Sequence, residues 1–342
     1  MNETNFLKIP DTNPERIFYL RDSSYANDLF ITAAAHLNIF NCIDETPMDI
    51  YELCEKLKLN LRPADVLMTL LKSYGFIEEI NGKFNLTQIS KDYLTRDSEF
   101  DLTSYVESLK DRPICSEMLK VLQTGQPANW SANKNGKDWT SSMSDVEFAE
   151  SFTKSMNSRG IYLANGILNS ADFSKAKRIL DIGGASGIYS AVILNKYSHL
   201  SATVFEKSPV DAVTKYFIIK NSIKNMDVLT GDMFEDDLPG NYDVHFISHV
   251  LHDWDFDQVE KLLQNSYKNL NPGGMLIIHD AHINAAKDGP LSVAEYSVLL
   301  MFSTYGKCYS IRELEAILKK IGFVNIELKN TVLNRSVIIA GK

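Results

Sequence analysis

The sequence has few cysteines and no long apolar run, and each of these absences excludes a class of protein. Its 342 residues include four scattered cysteines, Cys42, Cys54, Cys115 and Cys308, with no Cys-x-x-Cys pair. A zinc knuckle or a disulfide framework is therefore not indicated. No segment approaches the roughly 18 apolar residues of a membrane span, and the N-terminus lacks the basic start and apolar core of a signal peptide. We expect a cytoplasmic protein with reduced thiols.

An excess of positive charge is also missing, since the formal net charge is -9. A nucleic-acid surface needs clustered Lys and Arg, so phosphate binding is not expected to be the main function. The length and the 44% hydrophobic composition are typical of a globular protein with two domains. We predict a smaller domain over residues 1–105 and a larger one over 106–342, acting on a small molecule.

The smaller domain carries the pattern of a winged helix. Residues 49–75 predict two helices joined by a turn around Asn60 and Pro63, and Asn81-Gly82 predicts a two-residue hairpin turn between two short strands. The second helix has only Arg62 and Lys72 as cations and is otherwise largely apolar, which favours burial against a partner chain over insertion into a DNA groove. We therefore predict a mostly α-helical dimerisation domain and a homodimer.

The larger domain begins with a helical linker and continues as alternating strands and helices. Residues 106–168 predict the linker, which ends in an amphipathic helix with Phe148, Phe152 and Met156 at four-residue spacing. Seven β-rich runs then start near 178, 202, 226, 242, 274, 323 and 336. The first five, separated by helical segments, predict a parallel sheet covered on both faces, and the last two predict an antiparallel hairpin at its edge. The expected fold is a doubly wound α/β sheet.

A glycine-rich turn follows the first of these runs. Asp181 precedes Gly183, Gly184 and Gly187, whose missing side chains let the backbone approach a ligand at the start of a helix. The dinucleotide fingerprint Gly-x-Gly-x-x-Gly fails because its first position is Ile182. Asp181 could instead meet a cationic group such as an ammonium.

Two further acidic residues end the next two runs. Glu206 has the position from which acidic residues accept hydrogen bonds from ribose hydroxyls. Asp232 lies beside Met233 and Phe234, which suit an adenine ring. The three runs together predict a nucleoside-binding edge of the sheet.

Four motifs, in order, resemble those of S-adenosylmethionine-dependent methyltransferases: Asp-Ile-Gly-Gly-Ala-Ser-Gly at 181–187, Phe-Glu at 205–206, Gly-Asp-Met-Phe at 231–234 and His-Val-Leu-His-Asp-Trp-Asp at 249–255. With the winged helix, nearly the whole chain resembles the small-molecule O-methyltransferases that include plant caffeate and isoflavone enzymes and bacterial antibiotic-tailoring enzymes. The resemblance implies a Rossmann-like seven-stranded sheet and S-adenosylmethionine as cofactor. It implies cofactor contacts for Gly183, Glu206, Asp232 and Met233, to which we add Asp181, Gly187 and Ser248.

The resemblance also implies the catalytic base. A hydroxyl acceptor needs a base, and in this family it is the His of the His-Asp-Trp motif, here His252. We add Asp253 and Asp280 as catalytic candidates and interpret His249 as a packed structural residue. Family members hold the base with two glutamates. This chain has Asp280 and Cys308 at the corresponding positions, which puts the standard arrangement in doubt.

Other uses of the cofactor stay open at this point. No metal is expected in the main interpretation. However, Asp280 and His282 are two residues apart, so they would share one face of a strand and could form a divalent-metal site with His252. Some relatives with such ligands methylate the carbon beside the keto group of an α-keto acid. N-methylation and a non-catalytic cofactor-binding regulator are further alternatives. His279 is left out because it would point to the other face of the strand.

The acceptor pocket is predicted from apolar residues of two segments. Met301, Phe302 and Tyr305 lie in the long connection before the sixth run, and Phe152 and Met156 lie on the earlier helix. They would form a wall for a planar acceptor, and core packing is the competing interpretation. We expect a homodimeric enzyme that methylates a hydroxyl of a small aromatic secondary metabolite.

Overall fold

The computed structural model describes residues 5–128 and 139–342. They form two compact units: a helical unit of residues 15–128 and 283–311, and a sheet unit of residues 5–14, 139–282 and 312–342. This division differs from the predicted boundary after residue 105. Residues 106–128 belong to the helical unit because the helix at Pro113–Thr124 packs on the helix at Ala26–Ile31. Residues 283–311 belong to it because the helix at Leu291–Ser303 packs on the helix at Leu61–Ser73.

The described secondary-structure elements follow one another from short helices to an alternating α/β pattern. In chain order they are α1 Glu15–Asp22, α2 Ala26–Ile31, α3 Ile39–Glu45, α4 Ile50–Leu57, α5 Leu61–Ser73, β1 Ile77–Ile80, β2 Lys83–Leu86, α6 Gln88–Tyr93, α7 Thr103–Glu107, α8 Pro113–Thr124, α9 Trp139–Ser142, α10 Val146–Ile167, β3 Arg178–Ile182, α11 Ile188–Lys196, β4 Ser201–Glu206, α12 Val210–Lys220, β5 Met226–Thr230, β6 Tyr242–Ser248, α13 Phe256–Asn269, β7 Leu270–Asp280, α14 Leu291–Ser303, α15 Ile311–Ile321, β8 Val324–Asn330 and β9 Ser336–Gly341.

The helix pair and hairpin predicted for the helical unit are present. Helix α4 starts with a capping box, in which Asp49 and Glu52 each accept a hydrogen bond from the other's backbone N–H. Asn60 caps α5 through the backbone N–H of Arg62. Asn81 and Gly82 have φ angles of 53° and 77°, as a type I′ hairpin turn requires.

Both cations of α5 contact groups of their own unit. The Arg62 guanidinium donates to the carbonyls of Met301, Gly306 and Gly125 at 3.1, 2.7 and 2.8 Å. The Lys72 ammonium lies 2.8 Å from the Glu79 carboxylate. Both cations are therefore engaged within the unit, whereas a DNA-binding helix would direct such charges at phosphates.

The sheet of the second unit has the order β5-β4-β3-β6-β7-β9-β8. Strands β3 to β7 pair in parallel, and β9 is antiparallel to both β7 and β8. All seven predicted strands and the terminal hairpin are confirmed. The one difference is the connection from β5 to β6, where residues 231–241 contain no helix.

This strand order fixes where a ligand can bind. The chain runs outward from β3 to β5 and then returns to place β6 on the other side of β3, so the switch point lies between β3 and β6. Open α/β sheets bind ligands beyond the carboxyl ends of their strands at such a point. A ligand site is therefore expected at the ends of β3, β4, β6 and β7. Among the described residues, no helix combines the length and apolar character needed to cross a bilayer.

Candidate functional site

The turn after β3 depends on glycine at two positions. Gly183 and Gly187 have φ angles of 66° and 76°, in the left-handed region that favours glycine. A Cβ on Gly183 would lie 3.0 Å from Val250 Cγ2, and one on Gly187 would lie 2.9 Å from Val204 Cγ2. The turn is therefore both conformationally special and closely packed.

An open pocket lies at the ends of β3, β4 and β5 in the sheet unit. Four of the seven predicted cofactor residues line it: Gly183, Glu206, Asp232 and Met233. Its other walls come from neighbouring residues of the strand ends and loops, namely Met143, Ser144, Phe205, Lys207, Ser208, Val210, Gly231, Phe234 and Trp254. The pocket thus combines two carboxylates with sulfur and aromatic surface.

Hydrogen bonds orient the two pocket carboxylates. Glu206 accepts from the backbone N–H groups of Ala185 at 3.0 Å and Lys207 at 2.9 Å, and burial raises the pKa of its carboxyl. Asp232 accepts from the Lys207 ammonium at 2.8 Å and the Phe234 N–H at 3.0 Å. Burial alone would raise the pKa of Asp232, but the hydrogen bonds from Lys207 and Phe234 lower it below its ordinary value. Asp232 is therefore held as an anion.

The remaining three predicted cofactor residues, Asp181, Gly187 and Ser248, are not among those that line the pocket. Asp181 is buried. One of its carboxylate oxygens accepts from the Ser190 hydroxyl at 2.7 Å, and the other has no hydrogen-bond partner in the described part of the chain. Burial raises the pKa of Asp181 to about 7. Ser248 instead contacts His279, at 3.0 Å from its Nδ1.

The predicted base lies on a 3₁₀ turn, Leu251–Asp253, that follows β6. His252 is buried, with its Nδ1 2.5 Å from Asp280 Oδ1 at the end of β7. Burial lowers the pKa of His252, but the charges of Asp280 and Asp253 outweigh it, so the pKa is raised above 6.5. For Asp280 the effects are opposite: burial alone would raise the pKa of its carboxyl, but the charge of His252 and the hydrogen bond with it lower the pKa below its ordinary value. His252 and Asp280 therefore each stabilise the charged form of the other.

The carboxylate of Asp280 determines the tautomer of His252. A carboxylate only accepts hydrogen bonds, so the ring proton of the neutral imidazole lies on Nδ1 and the lone pair on Nε2. The third catalytic candidate, Asp253, has Oδ1 3.8 Å from that Nε2. Burial raises the pKa of Asp253 to about 6. Asp253 therefore acts on His252 through its charge and makes no direct hydrogen bond to Nε2.

His249, which sequence reasoning treated as structural, belongs to the same cluster. Its backbone has a left-handed φ of 55°, and its Nδ1 lies 3.5 Å from Asp280 Oδ1. Both of its ring nitrogens are buried and have no hydrogen-bond partner among the described residues. Burial lowers the pKa of His249 well below 6.5. The sequence signal was the three-residue spacing of His249 and His252 after a buried strand.

The alternative metal set of His252, Asp280 and His282 stays a prediction, and the structure brings a different trio together. Ligand atoms of His249, His252 and Asp280 lie within 4.8 Å of one another, and His282 is not part of this group. Strand β7 ends at Asp280, so the alternation that would align residues 280 and 282 does not continue. The Nδ1 of His282 instead lies 2.7 Å from the Ser336 hydroxyl.

Other polar groups surround His249. The ring of His279 packs edge-on against it, with centroids 5.1 Å apart, and the Tyr189 ring lies 6.1 Å away. The Tyr189 hydroxyl is buried, and burial raises its pKa to about 12. After burial, the charge of Arg159 on α10 is the largest contribution to the lowered pKa of His249. Sequence reasoning missed Arg159, which one helical turn separates from Met156.

The predicted acceptor wall comes from residues of both units. In the sheet unit, Phe152 and Met156 are half-buried on α10, and the Phe152 ring stacks on that of Phe148. In the helical unit, Met301 is buried and the Phe302 ring lies 4.5 Å from that of Tyr25, while Tyr305 is half-buried. The wall stays a prediction. Cys308, at the position of the second family glutamate, donates its backbone N–H to the Ser297 hydroxyl.

Comparison with known proteins identifies the family. The sequence model of the O-methyltransferase domain family matches residues 117–324. The 3-hydroxy-5-methyl-1-naphthoate 3-O-methyltransferase of Streptomyces sahachiroi is 26% identical over 296 residues, which are 85% of this chain and 84% of that protein.

Solved structures agree with this assignment. An O-methyltransferase family 2 protein from Planctomyces limnophilus, solved in complex with apigenin, is 25% identical with a TM-score of 0.89, and the match covers 100% of both chains. Human N-acetylserotonin methyltransferase, solved with S-adenosylmethionine, has the same fold, with a TM-score of 0.61 at 21% identity over 98% of this chain and 99% of that one. The chain therefore belongs to the O-methyltransferase domain family and is an S-adenosylmethionine-dependent methyltransferase of small molecules.

Proposed function

We propose that His252 is the general base with which this enzyme methylates a hydroxyl of a small aromatic metabolite. The observation that carries the proposal is the 2.5 Å contact between His252 Nδ1 and Asp280 Oδ1. It holds one imidazole nitrogen as a donor and turns the lone pair of the other outward from the carboxylate. A base of this kind contributes about 10²- to 10⁴-fold to the rate.

The pocket residues fit the cofactor. The closely packed turn at Gly183 lets the backbone approach a ligand, the Glu206 carboxylate suits ribose hydroxyls, and Met233 with Phe234 offers apolar surface to an adenine ring. Asp181 lies outside the pocket lining, but its buried oxygen without a hydrogen-bond partner in the described residues suits the ammonium group. We assign cofactor binding to these residues, with Asp232 holding Lys207 in place. When bound, S-adenosylmethionine supplies an electrophilic methyl group.

The proposed role of the protein residues is to move one proton. The acceptor hydroxyl would give its proton to His252 Nε2, which makes its oxygen the nucleophile. The bound cofactor would supply the methyl group and keep the electron pair of the broken carbon–sulfur bond as the thioether leaves. The imidazolium that forms keeps its Nδ1–H on Asp280, whose negative charge offsets the new positive charge. Asp280 thereby does for the base what the first family glutamate does, with a shorter side chain.

The acceptor class is supported by what the relatives act on or bind. One relative is named as a naphthoate O-methyltransferase, and the solved structure from Planctomyces limnophilus contains apigenin, so both handle planar aromatic rings. We infer an acceptor of that kind, bounded by Phe152 and Met156. These O-methyltransferase names do not support carbon or nitrogen methylation, or a regulator without activity.

We further propose that the helical unit is a winged-helix dimerisation domain and that the enzyme is a cytoplasmic homodimer. The unit exposes large apolar side chains at Ile17, Leu20, Phe100 and Tyr105, which are 71%, 79%, 67% and 80% exposed. A second copy would remove such surface from water. Light scattering at micromolar concentration tests the stoichiometry, and a monomer would contradict it. Cell fractionation tests the location.

The test of the base uses methyl-labelled cofactor and a panel of phenolic acceptors. His252→Gln should lower kcat by about 10²- to 10⁴-fold while the dissociation constant of the cofactor stays within a small factor. His199→Gln, which changes an exposed histidine of the same unit, is the matched control. Full turnover of His252→Gln would exclude the base. Tight cofactor binding by the wild type without transfer to any acceptor would favour the regulator instead.

A further inference from the structure

The base mechanism leaves one residue of the histidine cluster unexplained. His249 has both ring nitrogens buried without a hydrogen-bond partner in the described part of the chain, although His252 and Asp280 lie beside it. A buried polar group without a partner is destabilising, because it has lost its hydrogen bonds to water and gained none in their place. Such an arrangement persists where a ligand completes it.

The geometry is that of an incomplete metal site. His249 Nδ1 lies 3.5 Å from Asp280 Oδ1, His252 Nδ1 lies 2.5 Å from the same oxygen, and ligand atoms of the three residues all lie within 4.8 Å of one another. Zinc binds imidazole nitrogen and carboxylate oxygen at about 2.0–2.2 Å, so neighbouring ligands on one tetrahedral ion lie about 3.3 Å apart. Small side-chain adjustments would bring the three atoms around one ion.

We propose that His249, His252 and Asp280 form an inhibitory site for a divalent transition metal such as Zn²⁺. Two imidazoles and one carboxylate favour zinc and its neighbours over Mg²⁺ and Ca²⁺, which take oxygen ligands. The inhibitory effect rests on the proposed role of His252 as base, whereas the binding does not.

The reason for inhibition is the number of lone pairs on an imidazole. A neutral imidazole has one nitrogen with a lone pair and one with a proton. When either nitrogen of His252 binds a metal ion, its lone pair is used in that bond and the ring proton is on the other nitrogen. No lone pair is then available for the acceptor proton. The same ion would draw Asp280 from its contact with His252, so the support for the imidazolium is lost as well.

The binding test uses the full chain, treated with a chelator and dialysed, and Zn²⁺ alone as the probe. Titration against a chromophoric chelator should give one equivalent of tightly bound zinc. His249→Asn is the informative variant, because Asn tolerates the left-handed φ at this position but is too short to replace the imidazole. Its zinc affinity should fall by more than about 10-fold, and His252→Asn should give the same loss. His199→Asn, at an exposed histidine, should bind as the wild type does.

The inhibition test compares turnover with and without Zn²⁺ within each variant, relative to that variant's own chelated activity. Zinc should abolish wild-type turnover and inhibit His249→Asn only at more than about 10-fold higher concentration. Cofactor binding by each variant checks the fold. Equal zinc affinity in wild type and His249→Asn, or turnover that rises with zinc, would overturn the proposal. Zinc binding that needs His249, in an enzyme whose metal-free turnover does not need His252, would instead refute the base and leave the site standing.

Discussion

The cofactor pocket and the histidine cluster lie at the ends of strands in one sheet, yet their charged groups are held by different means. In the pocket, the Asp232 side chain is 25% exposed and the Glu206 carboxylate accepts backbone N–H groups. In the cluster, the His252 and Asp280 side chains are only 4% and 5% exposed, and their charges depend on each other. A change in the pocket should therefore affect affinity alone, whereas a change in the cluster should alter protonation and hence the reaction.

The largest expected effect that sharpens this comparison comes from Asp280→Asn. The variant removes the charge that raises the pKa of His252 and allows the other tautomer, so kcat should fall by about 10²- to 10⁴-fold. The base must be neutral, so wild-type kcat/KM should decline with falling pH through a pKa above 6.5. In Asp280→Asn this acid limb should move to lower pH. A pH profile of kcat/KM measures it, and an unmoved limb would contradict the coupling.

A smaller effect is expected on the pocket side from Glu206→Gln. The variant keeps a hydrogen-bond acceptor but loses its charge, and hydrogen bonds to charged groups contribute about 1 kcal/mol more than neutral ones. The dissociation constant of S-adenosylmethionine should rise by about 5-fold, with kcat at saturating cofactor little changed. Calorimetry and steady-state kinetics separate the two. Glu235→Gln, at a neighbouring exposed pair with Lys261, is the control. A large loss of kcat would erase the distinction between pocket and cluster.

The glycine-rich turn after β3 gives a further test through Gly187→Ala. A left-handed φ costs a residue with Cβ about 1–2 kcal/mol, and here the Cβ would also lie 2.9 Å from Val204 Cγ2. Gly273→Ala is the matched control, because Gly273 has a φ of 73° but nothing within 4 Å of the added Cβ. Denaturant unfolding should show about 2 kcal/mol lost at Gly187 and about 1 at Gly273. Equal losses would mean that the packing around Gly187 relaxes without cost.

The fold could be predicted in detail because its signals are local. Each of the seven strands of the sheet corresponds to a short β-rich run of the sequence. Asn81-Gly82 specifies its hairpin through two positive φ angles. The domain boundary differed because α14 packs on α5, more than 200 residues earlier in the chain. Contacts between distant segments carry no periodicity that a sequence displays.

The candidate site shows the same limit at the level of single residues. Gly183 and Glu206 were predicted from motif position, and both line the pocket. The placement of His249 depends on its left-handed backbone, which turns its ring toward Asp280, and that of His282 depends on where β7 stops. The alternation of side chains predicts which face of the sheet a residue occupies, but only within the strand. It no longer applies to residues beyond the last residue of the strand.

The smallest expected effect concerns a buried histidine outside both regions. His245, within β6, contacts the Ser266 hydroxyl at 2.9 Å, and burial lowers its pKa to about 3. The unfolded chain binds a proton near pH 6.5 and the folded chain does not, so stability is present above pH 6.5 and is lost as the pH falls toward 3. Between pH 6.5 and 5.5 this histidine should cost about 1 kcal/mol of unfolding free energy. His245→Gln keeps an acceptor for Ser266. Between pH 6.5 and 5.5 its free energy of unfolding should fall by about 1 kcal/mol less than that of the wild type, as measured by denaturant unfolding at each pH. An equal loss in both proteins would assign the acid sensitivity to the histidine cluster instead.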